Sequence, residues 1–383
     1  MQIEFITRLD QLSAHDRARL LTPDYPFLKL DFLMGLENSG CCSAATGWHP
    51  RHAIWRDSLG NIAALMPVYL KDHSWGEYVF DGGWAHAYES HGFPYYPKLL
   101  TAIPFTPVPG PRMLLAEGID EQSCLNLWSE SLAEIISLHQ ASGWHRLFSD
   151  DTMPSGHLRY LERHDCQFHW HNRGYRQFDD ILADFTSRKR KSIRKERASI
   201  GAAGLSIKRL TGTDITHDMM AIFYEFYQNT YLIRGHRPHL NPAFFRHLAD
   251  HLSNSMCLVL AERDGVSIAG ALFFFDKTHL YGRYWGATED IPGLHFECCY
   301  YQGMEFCIER NISHFNPGTQ GQHKISRGFE PQQTCSEHWV ADTPFYEAID
   351  RFLEQERTSV KAYMHEAATL LPFNQERMDK DLQ

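Results

Sequence analysis

Near residue 320 the sequence sets four polar side chains around glycines: "GTQGQHK" carries Gln320, Gln322, His323 and Lys324. Two amides offer neutral donors, an imidazole is a base near neutral pH, and an ammonium can stabilise a developing negative charge. Upstream, "HFECC" places His295 and Glu297 two residues apart at the start of a helical pattern, so they point to different faces and at most one of them faces a cleft directly. Nine cysteines are scattered, several of them in apolar stretches (Cys257, Cys298, Cys299, Cys307), which is the pattern of reduced, buried thiols. A nucleophilic cysteine needs an exposed thiol of low pKa, so Cys298 and Cys299 are not expected to act covalently. The 23 histidines raise the question of metal. Their densest cluster, "HDCQFHWHN", reads as a strand with Gln167, His169 and His171 on one face and His164, Cys166, Phe168 and Trp170 on the other. No CxxC or HExxH spacing completes a ligand set, and no metal site is expected.

A second feature is electrostatic. "SRKRKSIRKER", Ser187 to Arg197, holds seven Lys/Arg in the ten residues from Arg188 against one Glu, in a chain of formal net charge −10. Wound as a helix, it puts Arg190, Arg194 and Arg197 on one stripe and Lys191 and Lys195 on another, with Ile193 and Ile200 left to anchor it. A charge run is ordinarily a solvated face. In an acidic chain, however, a concentrated positive field attracts polyanions: a tRNA backbone, the phosphates of a lipid-linked precursor, or an acidic membrane surface touched peripherally. DNA is not an expected partner.

These groups need a scaffold. At 383 residues, with 43% hydrophobic and 13% aromatic residues, the chain is long enough for two or three globular domains. No run approaches the roughly 18 apolar residues of a membrane span. The charged, amphipathic start "MQIEFITRLDQL" does not read as a secretory signal, so a cytoplasmic protein is expected. Periodicity and breakers give one order of elements, βααβββαβαβ, twice. The expected halves are 1–175, with an aromatic insertion at 71–100, and 176–383, preceded by the basic helix. The first half is expected to close with a short helix around "GHLRYLERH" and the strand "CQFHWHN". The insertion interleaves Trp75, Trp84 and Tyr88 with Glu77 and Asp81. That mixture suits a sugar or peptide platform, or equally a loop packed by its own aromatics. In "YGRYWG", Gly282, Tyr284 and Gly286 alternate onto one strand face, as close approach of a bound chain or tight internal packing requires. Arg283 lies opposite with Tyr281 and Trp285. A charge in mid-strand is costly unless paired, so Arg283 is either in a buried ion pair or facing a site.

The repeated order is that of the GNAT acyltransferase superfamily, and the chain resembles the FemAB-like family of peptidoglycan biosynthesis or recognition proteins. The resemblance rests on "KDHSWGEYVFD", "YYPKL", "PFTPVPGPR", "QFHWHNRGY", "SRKRKSIRKER", "LYGRYWG", "HFECCYYQ" and "GTQGQHKISRGF", and extends over nearly the whole chain. It implies an α/β (α+β) fold of two tandem GNAT-like halves with mixed, mainly antiparallel sheets. It also implies an N-acyltransferase or aminoacyltransferase acting on an amine, with a peptidoglycan-type precursor as candidate acceptor. In such a half the strand "YGRYWG" and the turn before the next helix form the donor site. Here that turn, "ATEDIPG", puts Glu289 and Asp290 where a pyrophosphate would sit. At short range two carboxylates repel it by roughly a kcal/mol or more each. The resemblance offers aminoacyl-tRNA as a donor that needs no such cradle; acyl-CoA is the alternative, and a binding module without chemistry is the other rival. On the transferase reading His323 is the base, Lys324 or Gln320 stabilises the oxyanion, and Arg190, Arg194 and Arg197 bind an anion. The candidate substrate-binding residues are Trp75, Glu77, Asp81, Trp84, Tyr88, Arg283, Tyr284, Trp285, His295, Glu297 and Gln322, with the acceptor expected between the halves.

Overall fold

The apolar runs bounded by turn signals form strands. The computed structural model describes residues 1–153, 158–319, 321–375 and 377, and the chain divides into two units. One comprises Met1–Asp165 and Thr334–Lys361; the other comprises Cys166–Gln333 and Ala362–Gln383.

In the second unit Leu205–Thr211, Met256–Arg263, Val266–Phe275 and His279–Ala287 pair antiparallel in that order. His314–Asn316 joins parallel to the last of them, in register from His279↔His314 to Tyr281↔Asn316. Pro317 follows, and without an N–H it cannot extend the ladder. Helices cover both faces. His217–Leu232 starts at a Thr216 cap and Pro242–Leu252 at an Asn241 cap with proline in the first turn. On the opposite face Val259, Ala261, Ala271 and Phe273 pack with Ile193 and Ile200 of the basic helix (Ser187–Ala202) and with Cys298 and Met304. Ile193 and Ile200 are thus the anchors their spacing predicts.

In the first unit Gln2–Ile6, His52–Arg56, Ile62–Met66 and Leu114–Leu115 form an antiparallel sheet. Trp48–Pro50, Tyr69–Lys71, Lys98–Thr101 and Gly143–Leu147 form another, whose last pair is parallel. The helix Glu121–His139, capped by Asp120, lays Trp128 and Leu132 against Trp55, Met66 and Trp144.

Both units follow the GNAT-like order, with one exchange. The strand completing the first unit is Ser336–Val340, antiparallel to Gly143–Leu147. The strand completing the second contains Trp170 and His171, antiparallel to Phe315 and His314. Each closing strand therefore comes from the other half of the sequence, and a single division at 175/176 does not describe the units. An open edge beside the parallel pair needs a partner, and either closing strand satisfies that need, so sequence position alone does not decide which does. Three further differences stand out. Around "GHLRYLERH", where a short helix was expected, residues 154–157 lie outside the described residues and Leu161–His171 is one continuous strand. The aromatic insertion contains a helix, Gly82–Ser90. A long helix, Thr343–Thr369, follows the repeat. Among the described residues no helix is long and apolar enough to cross a membrane.

Gly286 shows how tightly helix and sheet meet: a Cβ there would stand 1.9 Å from the Phe226 carbonyl oxygen. Gly286→Ala is expected to cost about 2–4 kcal/mol through forced separation of helix and strand. Gly201→Ala, in the basic helix with nothing within 4 Å of the new methyl, should be neutral or stabilise by up to about 1 kcal/mol. Urea denaturation of both variants checks the contrast; equal stabilities would refute it.

Candidate functional site

The helical segment Leu294–Arg310 is irregular. It opens after Gly293, widens to a π-turn over Glu297–Tyr301 and returns to α geometry at Gln302. Such π-turns are common at functional sites, and this one lets Gln302 Nε2 donate to Glu297 Oε1 across five residues at 2.7 Å. Beside it the turn Gln322–Arg327 begins at Gly321, φ 110°, where a Cβ would lie 2.2 Å from the His323 ring. Only glycine lets that ring fold back. His323 Nε2 lies 2.7 Å from the Tyr300 hydroxyl, and its ring is 5.9 Å from that of His295. Trp285 packs edge-on to His295 at 5.3 Å. The structure thus gathers Trp285, His295, Tyr300, His323 and Lys324.

Their electrostatics differ sharply. Lys324 is 1% exposed, its Nζ donates to the Gly318 carbonyl, and no ion pair to it exists among the described residues. Burial brings its pKa down to about 7. His295 is pushed down to about 4 by burial and then by His323, Lys324 and Arg327. His323 is exposed overall, yet partial burial of its ring and the cations Lys324 and Arg327 lower it too. Burial raises the Cys298 and Cys299 thiols far above the thiolate range, which leaves neither as a nucleophile.

Several expected site residues serve the scaffold instead. Glu297 is buried and accepts from Arg197 Nε and Nη2 at 3.0 and 2.9 Å; Arg197 also reaches Glu305 at 2.6 Å and lies 4.4 Å over the Phe178 ring. Arg190 donates to the Phe185 carbonyl, and Arg194 pairs with Asp179 at 2.8 Å. The arginine stripe expected to gather anions therefore meets the unit's own acceptors: Arg190 and Arg197 are half-buried against them, and Arg194 pairs with Asp179 at the exposed surface. Among the described residues five cations of this helix have no ion pair: Arg188, Lys191 and Lys195, which are exposed, and Lys189 and Arg190, which are half-buried. Tyr284 is buried against Tyr227 and Phe245. Arg283 has its guanidinium 5.3 Å from the Tyr284 ring. Gln322 is exposed, 3.4 Å from the Tyr363 hydroxyl, and Gln320 lies outside the described residues. Glu289 pairs with Arg263 at 2.7 Å, and Asp290 is exposed. A cavity of about 480 Å³ opens beside the basic helix, lined by Phe178, Leu182, Arg194, Arg197, Ile207 and Glu297. It does not include His323 or Lys324, so the volume and the reactive side chains do not coincide.

Sequence reasoning missed Tyr300, Arg327 and Glu196. Arg327, 4% exposed, donates to both Glu196 oxygens at 3.0 and 2.9 Å, to the Tyr301 hydroxyl at 3.0 Å and to the His323 carbonyl at 3.0 Å. Glu196 is the one acid of the basic run, and that oddity was the available signal.

In the first unit the expected Glu77 and Asp81 surround a lysine. Lys98, fully buried, donates to Ser74 Oγ at 2.8 Å, to Glu77 Oε2 at 2.7 Å and to Asp81 Oδ2, which also accepts from Tyr95 at 2.6 Å. Burial lifts Glu77 to about 7 despite Lys98. Burial opposes charge on Asp81 as well, but Lys98, His145 and Ser74 outweigh it and hold Asp81 well below the usual range. Burial brings Lys71 down to about 8. Trp84 packs against His338 at 4.9 Å and Tyr88 stacks on Phe345 at 3.8 Å, so both are core. Trp75 is 64% exposed.

Removing Arg197 strands a buried carboxylate. Arg197→Ala is expected to cost about 3 kcal/mol. Reversing Arg188, Lys191 and Lys195 to Glu should shift stability by about 0.5 kcal/mol or less. Chemical denaturation distinguishes the two; a larger loss in the triple variant would show that the outer cations also hold the fold.

A search of curated proteins finds no match. FemX, a solved structure, superposes with a TM-score of 0.49 at 13% identity, over 91% of this chain and 100% of that one. The C-terminal domain of a putative lysylphosphatidylglycerol synthetase from Agrobacterium fabrum gives 0.48 at 10% identity, over 83% and 96%. A tandem GNAT protein from the clavulanic acid biosynthesis pathway gives 0.40 at 11%, over 89% and 99%. A family model described as peptidoglycan biosynthesis/recognition, FemAB-like, matches residues 8–375. The sequence blocks, the repeated GNAT-like order and this match agree: the chain belongs to the FemAB-like family.

Proposed function

We propose that the protein transfers an acyl or aminoacyl group to an amine, and that Lys324 handles the amine's proton. The observation carrying this reading is the burial of Lys324 without a carboxylate, which leaves the amine substantially neutral near pH 7. A free amine attacks the donor's carbonyl carbon, forming a C–N bond and a zwitterionic tetrahedral intermediate. Lys324 Nζ takes the proton from that nitrogen and, now charged, faces the oxyanion. The bond to the leaving oxygen or sulfur breaks, the leaving group takes the proton, and Lys324 returns to the neutral form. Sequence reasoning gave the base's part to His323. Its Nε2 is engaged with Tyr300, so positioning of the acceptor suits it better.

Asp290, exposed on the turn before the helix, disfavours a diphosphate there, whereas Glu289 is paired with Arg263. Arg188, Lys191 and Lys195, exposed on the basic helix, suit a polyanion. Both observations favour aminoacyl-tRNA over acyl-CoA as donor. The family's description points to a peptidoglycan-type amine as acceptor. A non-catalytic binding module is the second reading, favoured by the absence of Lys324 and His323 from the lining of the cavity.

The test offers labelled aminoacyl-tRNA or acyl-CoA together with an amine-bearing stem peptide. Transfer should rise with pH through about 7 as Lys324 loses its proton, then level. Lys324→Met should lower the rate by about 100-fold or more, with binding retained. Full activity in Lys324→Met would refute the assignment. Ligand binding with no turnover from either donor would support the binding module.

A further inference from the structure

The first unit holds a group of donor atoms unrelated to the Lys324 site. Glu162 and His164 lie two residues apart on the strand Leu161–His171, so the pleat puts them on one face. Cys335 comes from the strand Glu330–Val340. One carboxylate oxygen of Glu162, one ring nitrogen of His164 and the Cys335 Sγ all lie within 4.8 Å of one another. The Glu162 Oε2 to His164 Nε2 distance is 3.5 Å. Ligand atoms about 2.0–2.3 Å from a tetrahedral zinc ion stand roughly 3.3–3.8 Å apart, so this pair is already at ligand spacing. The Cys335 sulfur lies within 4.8 Å of both, and the Glu162 side chain, 49% exposed, has room to adjust.

We propose that Glu162, His164 and Cys335 bind a thiophilic divalent cation of the zinc class, with a fourth position left to water. A carboxylate, a thiolate and a neutral imidazole carry two negative charges, which such an ion neutralises, and the thiolate selects against magnesium and calcium. The strand is held where the ligands are needed. Arg357 donates to the Glu162 carbonyl at 2.6 Å, and Arg163, between the two ligands, pairs with Glu356 at 2.7 Å. Two features work against the ion: Arg357 is positive, and Cys335 is half-buried and must give up its proton to ligate. The site needs three residues from strands far apart in sequence, which is why no spacing motif marks it.

The test uses the full-length, reduced protein, stripped with a chelator and titrated with Co²⁺ as a spectroscopic probe. One equivalent should produce a thiolate-to-cobalt charge-transfer band and tetrahedral ligand-field bands. Zn²⁺ should displace the ion and Mg²⁺ should not. Cys335→Ser should abolish the charge-transfer band, and His164→Gln should weaken binding about tenfold or more. Cys166→Ser, a nearby thiol outside the set, should leave the spectrum unchanged. If Cys335→Ser does not fold, the more conservative His164→Gln decides the matter alone. No thiolate band in the native protein, or a band surviving Cys335→Ser or unaffected by His164→Gln, would overturn the proposal.

Discussion

Two consecutive residues of the basic helix, Glu196 and Arg197, hold the second unit's site together. Both Glu196 oxygens accept from Arg327 Nη2, and one also accepts from the Tyr301 hydroxyl; Arg197 donates to both oxygens of Glu297. Arg327 and Glu297 are buried charges of opposite sign, and either would be costly without its partner. Satisfying both from one helix turn fixes that helix against the π-turn segment and the Gln322–Arg327 turn. Arg327 then holds the His323 carbonyl, and Lys324 is set in the interior as the next residue. The excess of charge in the run thus has two faces: an inner one spent on structure, and an outer one of Arg188, Lys191 and Lys195 left to solvent or a ligand.

Two buried lysines, Lys98 of the first unit and Lys324 of the second, shift in opposite directions. Burial alone would lower Lys98, but Glu77 and Asp81 outweigh it, and its pKa is raised. Lys324 suffers a similar desolvation with no carboxylate to answer it, and its pKa falls to about 7. The same side chain is a fixed cation in one setting and a titrating amine in the other. This contrast, more than the count of polar groups, separates a reactive position from a structural one. It also gives a sign for linkage. Lys324 is charged when unfolded and neutral when folded between about pH 7 and its ordinary value of 10.5. The unfolded state therefore binds more protons there, and the group's contribution makes stability rise with pH across that window.

Much of this architecture was legible. The strands Met256–Ala287, the two capped helices before them and the turn at Gln322 follow from periodicity, caps and glycine placement. Ile193 and Ile200 announced the buried edge of the basic helix. What could not be read was partnership. Glu297 and Arg197 each look like site residues until they are seen to satisfy one another, and Tyr284 looks like a binding aromatic until Tyr227 and Phe245 enclose it. The exchange of closing strands is invisible because Ser336–Val340 and Trp170–His171 carry patterns either unit could accept. Tyr300 went unremarked because a single tyrosine in an amphipathic helix carries no signal until a π-turn brings its hydroxyl to His323.

The central claim is that Lys324 is a buried, neutral amine at working pH. It is tested most directly by ¹⁵N NMR titration of the lysine side-chain nitrogens, with Lys324 assigned by comparison with Lys324→Arg. One resonance with a midpoint near 7, separate from the surface lysines and missing in the variant, is expected. A Lys324 midpoint near the ordinary value of 10.5 would contradict it, because the position would then be solvated or paired and could not take a proton from an attacking amine.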